Sequence, residues 1–450
     1  MISERELRHG HDPPVMDVLE LTRRAIATGP LCDPCLGRLV ADRSFGLTNR
    51  ERGKGLRVAV SLADDTDFEP PEKQCWVCED ECDRYDWWAE QAAGMVHGYD
   101  FETYQVGTKV PPLIEENDRL LREDVGLDPE AGELLKSEYN REVGKRFGRK
   151  TGTEVDFGRP DVLLLCDLST DEIELQVNSA FIYGRYRKLE RDIPQTKWPC
   201  RECNGTGFDD GNRCAGCEGT GYRYDESVEQ LTAPPVKEAM NGKEGTFHGA
   251  GREDVDALML GTGRPFVIEI DEPRKRTVDT DELEAEINEF ADGKAEVEGL
   301  RLATHEMVER VKEHDASKTY RMDVEFADSV SEAEFEAALD ALEGATIHQE
   351  TPQRVSHRRA AKTRTRTVYD ISGELQGDTA ATVEVHGEGG LYVKELVSSD
   401  EGRTEPSLAG ELGVGAEVTA LDVLRVEGEN EPFEQPEFFR EDNSENTHSS

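Results

Sequence analysis

Four Cys-x-x-Cys pairs constrain the fold of this 450-residue chain more than any other feature. In a cytosolic chain such pairs bind metal more often than they form disulfides, and two pairs supply the four thiolates of a tetrahedral zinc site. We therefore expect about two structural zinc ions, each closed by four sulfurs, and no catalytic zinc. The pairs are Cys32/Cys35 with Cys75/Cys78, and Cys200/Cys203 with Cys214/Cys217.

The last two pairs belong to a sequence repeat. Residues 200–207, with the pattern CxxCxGxG, recur as residues 214–221. Glycines at these places let backbone N–H groups turn toward the sulfurs. Zinc-bearing chaperones of the DnaJ type contain a similar hairpin, but this chain has only two repeats and lacks the His-Pro-Asp of a J-domain. Of the two cysteines outside the pairs, Cys82 has no predicted role and Cys166 is typical of a buried strand.

The charge of the chain is extreme, with 97 acidic against 53 basic side chains and a formal net charge of −44. Such an excess destabilises a compact state by self-repulsion unless salt shortens the Debye length. The composition therefore indicates a salt-rich cytoplasm. The polar first 14 residues and the absence of a long apolar run predict a soluble, cytoplasmic protein without membrane association, and a monomer is the default expectation.

Clusters of basic residues stand out against this acidic background. Close spacing of Arg and Lys is what neutralisation of a phosphate backbone requires, so these clusters predict contact with nucleic acid. Alternate residues share one face of a strand, which would align the cations at 362, 364 and 366. The residues concerned are Arg354, Arg358, Arg359, Lys362, Arg364 and Arg366, with a smaller cluster at Arg185, Arg187 and Lys188.

The order of elements predicts an α+β protein with a mixed or antiparallel sheet. Helices are expected at 18–26, 130–147, 280–291, 304–314 and 331–342, and in 227–240 up to a break at Pro234-Pro235. Strands are expected at 57–62, 101–106, 162–167, 172–177, 266–270, 319–326, 364–371, 381–385, 391–396 and 418–426. The acidic end of the chain, from residue 427, is expected to be disordered.

Two glycine-bearing motifs were considered as functional sites, and they lead to different predictions. The segment 251–254, Gly-Arg-Glu-Asp, would hold a carboxylate on a turn, and taken alone it most often forms a surface salt bridge. The segment 260–266 begins like a nucleotide-binding GxGxxG. Phe266 replaces its third glycine, however, and the glycines precede a strand, so the segment does not predict a nucleotide site.

Several long motifs, taken together, resemble the archaeal and eukaryotic pseudouridine synthase family that modifies the TΨC loop of tRNA. They are residues 251–254, 317–321, 351–359, 390–396, 400–407 and 420–423. Upstream, residues 178–188 and 193–198 resemble the end of that family's THUMP-containing RNA-binding domain. The resemblance spans about residues 25–426.

The resemblance implies a domain order. It comprises an N-terminal helical and zinc-bearing segment at 1–52, a THUMP-like domain at 53–195 that shares the first zinc site, and a zinc hairpin at 196–226. A pseudouridine synthase catalytic domain follows at 227–428, and an acidic tail at 429–450.

The resemblance also implies roles for single residues. Asp254 matches the essential aspartate, Tyr320 the tyrosine that stacks on the target base, and Lys394 the cation that pairs with the aspartate, with Arg252 as a second candidate cation. Leu421 matches an aliphatic residue that packs against the uracil, with Val393 beside Lys394. The implied reaction isomerises uridine at positions 54 and 55 of tRNA without an organic cofactor. Asp254 would attack covalently or remove the C2′ proton.

Other function classes remain open. A zinc-containing RNA-binding protein or tRNA chaperone without catalysis would share the cysteines and the basic clusters, but it would not need Asp254, Tyr320 and Lys394 together. A THUMP-linked methyl or sulfur transferase is disfavoured because the chain lacks a nucleotide-binding loop.

Overall fold

The computed structural model describes residues 17–313, 316–355, 362–428 and 433–440. It divides into two compact units, residues 1–178 and 179–450. The division falls before the boundary expected at residue 195, because the strand at 180–188 pairs within the sheet of the second unit. Among the described residues, no helix has the length and apolarity needed to cross a membrane.

The first unit combines six helices with a small mixed sheet. The helices are α1 Val18–Ala27, α2 Asp33–Arg38, α3 Asn49–Asp64, α4 Tyr85–Met95, α5 Pro112–Val125 and α6 Leu135–Thr151. The strands are β1 Thr103–Lys109, β2 Glu154–Val155, β3 Val162–Asp167 and β4 Glu172–Val177, in the order β2-β1-β3-β4. Trp88, Tyr139 and Phe147 are fully buried in its core.

The strand expected at 57–62 is wrong, since these residues lie inside α3. The valine-alanine alternation suggested a strand, but a capping box at the start of the helix decides the structure. The side chain of Thr48 accepts from the backbone N–H of Glu51, and the carboxylate of Glu51 accepts from the N–H of Thr48. Two otherwise unpaired donors are thereby satisfied, and the helix continues through the valines.

The second unit is built on a long sheet flanked by helices. Its helices are α7 Val228–Ala239, α8 Thr280–Phe290, α9 His305–Glu313, α10 Glu332–Leu342, α11 Val393–Ser398 and α12 Leu408–Leu412. Its strands are β5 Ala180–Lys188, β6 Phe208–Asp209, β7 Asn212–Arg213, β8 Gly245–Gly249, β9 Leu258–Ile270, β10 Ala295–Ala303, β11 Ala316–Phe326, β12 Thr346–Gln349, β13 Arg364–Leu375, β14 Ala380–Gly387, β15 Thr404–Glu405 and β16 Ala416–Gly428.

The main sheet has the order β10-β5-β9-β16-β11-β14-β13-β12-β15, and β8 also pairs with β9. The pairing of β9 with β16 is parallel, and the other described pairings of this sheet are antiparallel. The α+β class and the mixed sheet are therefore confirmed. Strands β6 and β7 form a separate hairpin between the cysteine pairs at 200–203 and 214–217.

Two further expectations in the second unit are wrong. Helix α7 does not break at Pro234-Pro235, because its buried face, including Val228, Leu231 and Val236, packs into the core and outweighs two lost backbone hydrogen bonds. The acidic tail is not wholly without structure. Phe433 and Phe439 are buried beside Tyr183, and the backbone N–H of Arg440 donates to Leu302.

Candidate active site

Asp254 lies on the loop that joins β8 to β9, and the backbone of this loop is tied down on both sides. Gly251 adopts a left-handed φ of 68°, which glycine tolerates without strain. The carbonyl of Gly251 accepts a hydrogen bond from Gln195 Nε2 at 2.8 Å, and the carbonyl of Ala250 accepts one from Arg264 Nη1 at 2.8 Å. The loop is therefore positioned by side chains from β9 and from the segment after β5.

Glu253, the neighbour of Asp254, is buried in an ion pair. Its Oε2 lies 2.9 Å from Nε of Arg264, and both side chains are 1% exposed. The hydroxyl of Tyr186 is 2.9 Å from the same carboxylate and accepts from Gln195 Nε2 at 2.8 Å. Burial, with the charge of Glu253 beside it, raises the pKa of Tyr186 well above its usual value. This network fixes the backbone on the N-terminal side of Asp254.

Lys188 holds the C-terminal side of the same loop. Its Nζ donates to the carbonyls of Ile193 at 2.8 Å, Asp254 at 3.3 Å and Val255 at 2.9 Å. The side chain is fully buried, and burial lowers the pKa of its ammonium group. The prediction that Lys188 contacts phosphate is therefore wrong, because a buried lysine with three carbonyl partners cannot reach a nucleic acid.

The carboxylate of Asp254 is 42% exposed and faces two cations. Its Oδ2 lies 3.5 Å from Nζ of Lys394 and 3.3 Å from Nη1 of Arg354. Lys394 was predicted as this partner, whereas Arg354 was predicted as a phosphate contact. Arg252, the other candidate, instead directs its guanidinium toward Trp198, 5.8 Å from the ring centroid.

Each of these two cations also binds a second carboxylate. Arg354 Nε lies 2.7 Å from Oε1 of Glu395, which is buried, and Lys394 Nζ lies 3.1 Å from Oδ2 of Asp256. Burial alone would raise the pKa of Asp256, but the hydrogen bond and charge of Lys394 lower it. Asp256 and Glu395 therefore orient the two cations that face Asp254.

Lys394 reaches the site from the first turn of α11, so the strand expected at 391–396 is wrong. Val393, Leu396 and Val397 bury one side of the segment at helical spacing. The start of the helix is fixed by Gln349, whose Oε1 accepts from the N–H of Tyr392 and whose Nε2 donates to its carbonyl, both at 2.9 Å. The buried amide thus replaces a conventional helix cap.

An apolar wall lies next to the carboxylate. Val393, Leu421 and Ala257 belong to one buried cluster, and the half-buried ring of Tyr320 packs against it. Burial raises the pKa of Tyr320 to about 12, with smaller effects from Arg264 and Asp254. The structure therefore brings all five predicted catalytic and substrate-binding residues to one place. It combines an anchored carboxylate with two cations and with apolar and aromatic side chains.

Some of the other residues predicted to contact phosphate already have partners within the protein, and others do not. Arg185 donates to the carbonyls of Thr262, Gly263 and Val426, and Arg187 pairs with Glu296 and Glu298, so both hold β5 to its neighbours. Arg366 pairs with Glu388, and Arg364 lies over the ring of Tyr392. Lys362 is exposed, just before β13. Arg358 and Arg359 lie outside the described residues.

Both cysteine clusters fit a tetrahedral metal. Two zinc–sulfur bonds of about 2.3 Å at a tetrahedral angle place sulfurs about 3.8 Å apart. The measured Sγ–Sγ distances are 3.6 Å for Cys32 with Cys78, 3.7 Å for Cys35 with Cys75, 3.9 Å for Cys200 with Cys214 and 3.7 Å for Cys203 with Cys217. The four ligand atoms of each set lie within 4.8 Å of one another, so each set could hold a metal ion.

The glycines of the repeated motif act as expected. The N–H groups of Gly207 and Gly221 each donate to a cysteine sulfur, Cys203 and Cys217 respectively, at 3.2 Å. Such donors stabilise thiolates, the form that binds metal. Cys166 is buried in β3, and burial raises its pKa to about 12, so it is a packing residue as predicted.

Comparison with known proteins assigns the chain to a family. Residues 181–427 match the family description "Pus10, C-terminal", and residues 88–167 match "Pus10 THUMP domain, archaeal". These matches define a protein that joins a THUMP domain to a domain with the pseudouridine synthase fold. The chain belongs to the Pus10 family.

Three relatives, each named tRNA pseudouridine synthase Pus10, share most of their length with this chain. The protein of Halorubrum lacusprofundi is 66% identical over 95% of this chain and 100% of its own. That of Methanothrix thermoacetophila is 40% identical over 92% and 95%, and that of Pyrococcus furiosus 38% identical over 92% and 100%.

The sequence interpretation missed the residues that hold the loop. Glu253 and Arg264 were given no role, and Lys188 was predicted to contact phosphate instead of the loop, although two of the three carried a usable signal. Arg264 and Lys188 are charged residues within strands whose neighbours are largely buried, and a charge at such a position requires a partner.

Proposed function

We propose that this protein isomerises uridine to pseudouridine at positions 54 and 55 of the TΨC loop of tRNA, with Asp254 as the catalytic carboxylate. The observation that supports this most directly is the position of that carboxylate. It is 42% exposed, lies 3.5 Å from Lys394 and 3.3 Å from Arg354, and adjoins the wall of Tyr320, Val393 and Leu421. Names of the relatives support tRNA as the substrate.

The isomerisation breaks the N1–C1′ bond of uridine and forms a C5–C1′ bond, while the proton on C5 leaves and N1 acquires one. Asp254 starts the reaction either by attacking C1′ or by removing the C2′ proton so that the uracil leaves. Both routes need an ionised carboxylate, and Lys394 and Arg354 place positive charge beside it. No step requires oxidation, a nucleotide or a metal.

The apolar wall holds the base while it turns. The target uridine must first leave its stack, which costs roughly a few kcal/mol. The ring of Tyr320 offers a stacking surface that offsets part of this cost, and Leu421 and Val393 exclude water from the edge of the uracil. The two four-cysteine clusters would hold structural zinc, which stabilises the domains and supplies no catalytic step.

The test uses the whole protein with an unmodified tRNA transcript in concentrated KCl. Wild-type protein should produce carbodiimide-dependent stops at positions 54 and 55, and Asp254→Asn should produce none while it keeps its melting temperature. Asp340→Asn is the matched control, because it makes the same chemical change at an exposed aspartate of α10, and it should retain activity. Stops with Asp254→Asn at the wild-type rate would exclude its catalytic role.

The binding-only alternative makes a different prediction from the same assay. A zinc-containing RNA-binding protein or tRNA chaperone would bind the transcript and leave both uridines unchanged. Bound tRNA without pseudouridine, from wild-type protein with its metal in place, would therefore favour the alternative.

A further inference from the structure

The base of the cysteine hairpin lies against the loop that carries Asp254. Trp198 enters the hairpin and Arg223 leaves it, and the N–H of Arg223 donates to the carbonyl of Trp198 at 2.9 Å. The ring of Tyr224 meets the indole of Trp198 edge-on, with centroids 5.5 Å apart. Arg252, two residues before Asp254, places its guanidinium 5.8 Å from the same indole.

Two cations therefore share one aromatic ring. The guanidinium of Arg223 lies 5.6 Å from the Trp198 centroid and 5.5 Å from that of Tyr224. Both arginines are exposed. Throughout the described part of the chain, no carboxylate lies within ion-pair distance of either arginine, although the protein carries 97 acidic residues.

Without an anion, the positive charges of Arg223 and Arg252 are not neutralised. Like charges held near one ring repel each other, whereas several other arginines of this unit, such as Arg187, Arg191 and Arg321, pair with glutamate or aspartate. Cation–π contacts orient both guanidinium groups, each worth roughly 0.5–1 kcal/mol at an exposed site, but they leave the positive charge unneutralised. Phosphates of an RNA backbone would supply the missing negative charge and accept several hydrogen bonds from these guanidinium groups.

We propose that Trp198, Arg223, Tyr224 and Arg252 form a phosphate-binding platform for the backbone of the substrate RNA, next to the active-site loop. This inference rests on the proposed function in one respect only, namely that the RNA is tRNA. Because Arg252 and Asp254 share one anchored loop, a phosphate held at Arg252 fixes the distance between the RNA strand and the catalytic carboxylate. The four-cysteine cluster gives the hairpin a rigid base from which Arg223 acts.

The experiment measures binding of unmodified tRNA transcript at several KCl concentrations by Arg223→Gln, Arg252→Gln and the double variant. Each single change should weaken binding roughly tenfold, because it removes a hydrogen bond between an arginine and a charged phosphate. The slope of log K against log[KCl] should become less steep by about 0.7–0.9 for each arginine removed. At Arg223 the loss should appear mainly as a rise in KM, whereas Arg252→Gln should also lower the rate at saturating tRNA, because Arg252 sets the distance to Asp254.

Lys312→Gln is the control, since it removes one exposed positive charge from the last turn of α9. Zinc content and melting temperature should match wild type for every variant, because both arginines are exposed. Unchanged affinity and slope in the double variant would overturn the platform, and so would an equal loss from Lys312→Gln. If wild-type protein forms no pseudouridine while the arginine variants still lose affinity and slope, the platform stands and the proposed function fails.

Discussion

Replacement of Glu253 by glutamine tests whether the buried network sets the geometry of the loop that carries Asp254. The carboxylate lies 2.9 Å from Arg264, and both side chains are 1% exposed. Removing one partner of such a pair leaves a buried charge uncompensated, at a cost of about 3–5 kcal/mol. Glutamine keeps the shape and can still accept from Tyr186, so we expect the lower end of that range, about 3 kcal/mol.

The same change should reach the chemistry through the backbone. Glu253 adjoins Asp254, and a misplacement of about 1 Å in a reacting group can lower a rate about 100-fold. We therefore expect kcat to fall more than KM rises, because the RNA-binding residues are untouched. Hydrogen exchange of peptides that cover residues 249–257 should speed up in Glu253→Gln, while peptides from the first unit should exchange as in wild type.

Two further variants sharpen this test. Glu296→Gln makes the same chemical change at an exposed partner of Arg187, where the glutamate side chain is 45% exposed, and should alter stability by less than about 1 kcal/mol. Adding Arg264→Met to Glu253→Gln removes the stranded charge, so the double variant should lose less stability than the sum of the two single changes. If Glu253→Gln unfolds at the same denaturant concentration as Glu296→Gln, the network does not hold the loop.

Two further predictions concern metal and pH. Elemental analysis should find about two zinc ions per chain and about one in Cys203→Ser, and a metal-free wild-type protein would contradict the cysteine geometry. Because burial raises the pKa of Tyr320 from 10.0 to about 12, the folded state holds this proton more tightly than the unfolded state. The contribution of Tyr320 to the free energy of unfolding is fully present below pH 10. It falls by about 3 kcal/mol as the pH rises from 10 to 12. Tyr320→Phe should reduce the loss of unfolding free energy over that interval, and an unchanged loss would refute the assignment.

Sequence patterns predicted the fold best where one local signal dominated. Strands β3 and β4 have the predicted bounds, because their residues alternate between more and less buried positions over a full strand. At Ser331 the capping box places the start of α10. Three of the wrong predictions, at α3, α7 and α11, come from strand or break signals. At α3 a local capping box overrules the signal, whereas at α7 and α11 packing and the distant side chain of Gln349 do so. Such contacts depend on the tertiary structure, which periodicity does not report.

In the candidate site, too, some features were predictable from local sequence and others depended on the tertiary structure. Asp254, Tyr320, Lys394 and Leu421 were predicted from ordered motifs, and the structure brings them together, but their partners came from elsewhere in the chain. Arg354 belongs to a basic cluster and was therefore predicted to contact phosphate, yet it faces Asp254. Composition indicates that a residue is charged. Only the fold decides whether its partner is a carboxylate or solvent.

The distribution of charge separates the chemistry from RNA binding. Around the reacting carboxylate, the two cations Lys394 and Arg354 face three carboxylates, those of Asp254, Asp256 and Glu395. Carboxylates outnumber cations in this group, which disfavours phosphate binding there. On the proposed function the target base is neutral and can enter, and the strand that carries it would be held by cations outside this group. Among the described residues no carboxylate pairs with Arg223 or Arg252, so the proposed platform at the hairpin would complement a site at Asp254 whose own cations are already paired.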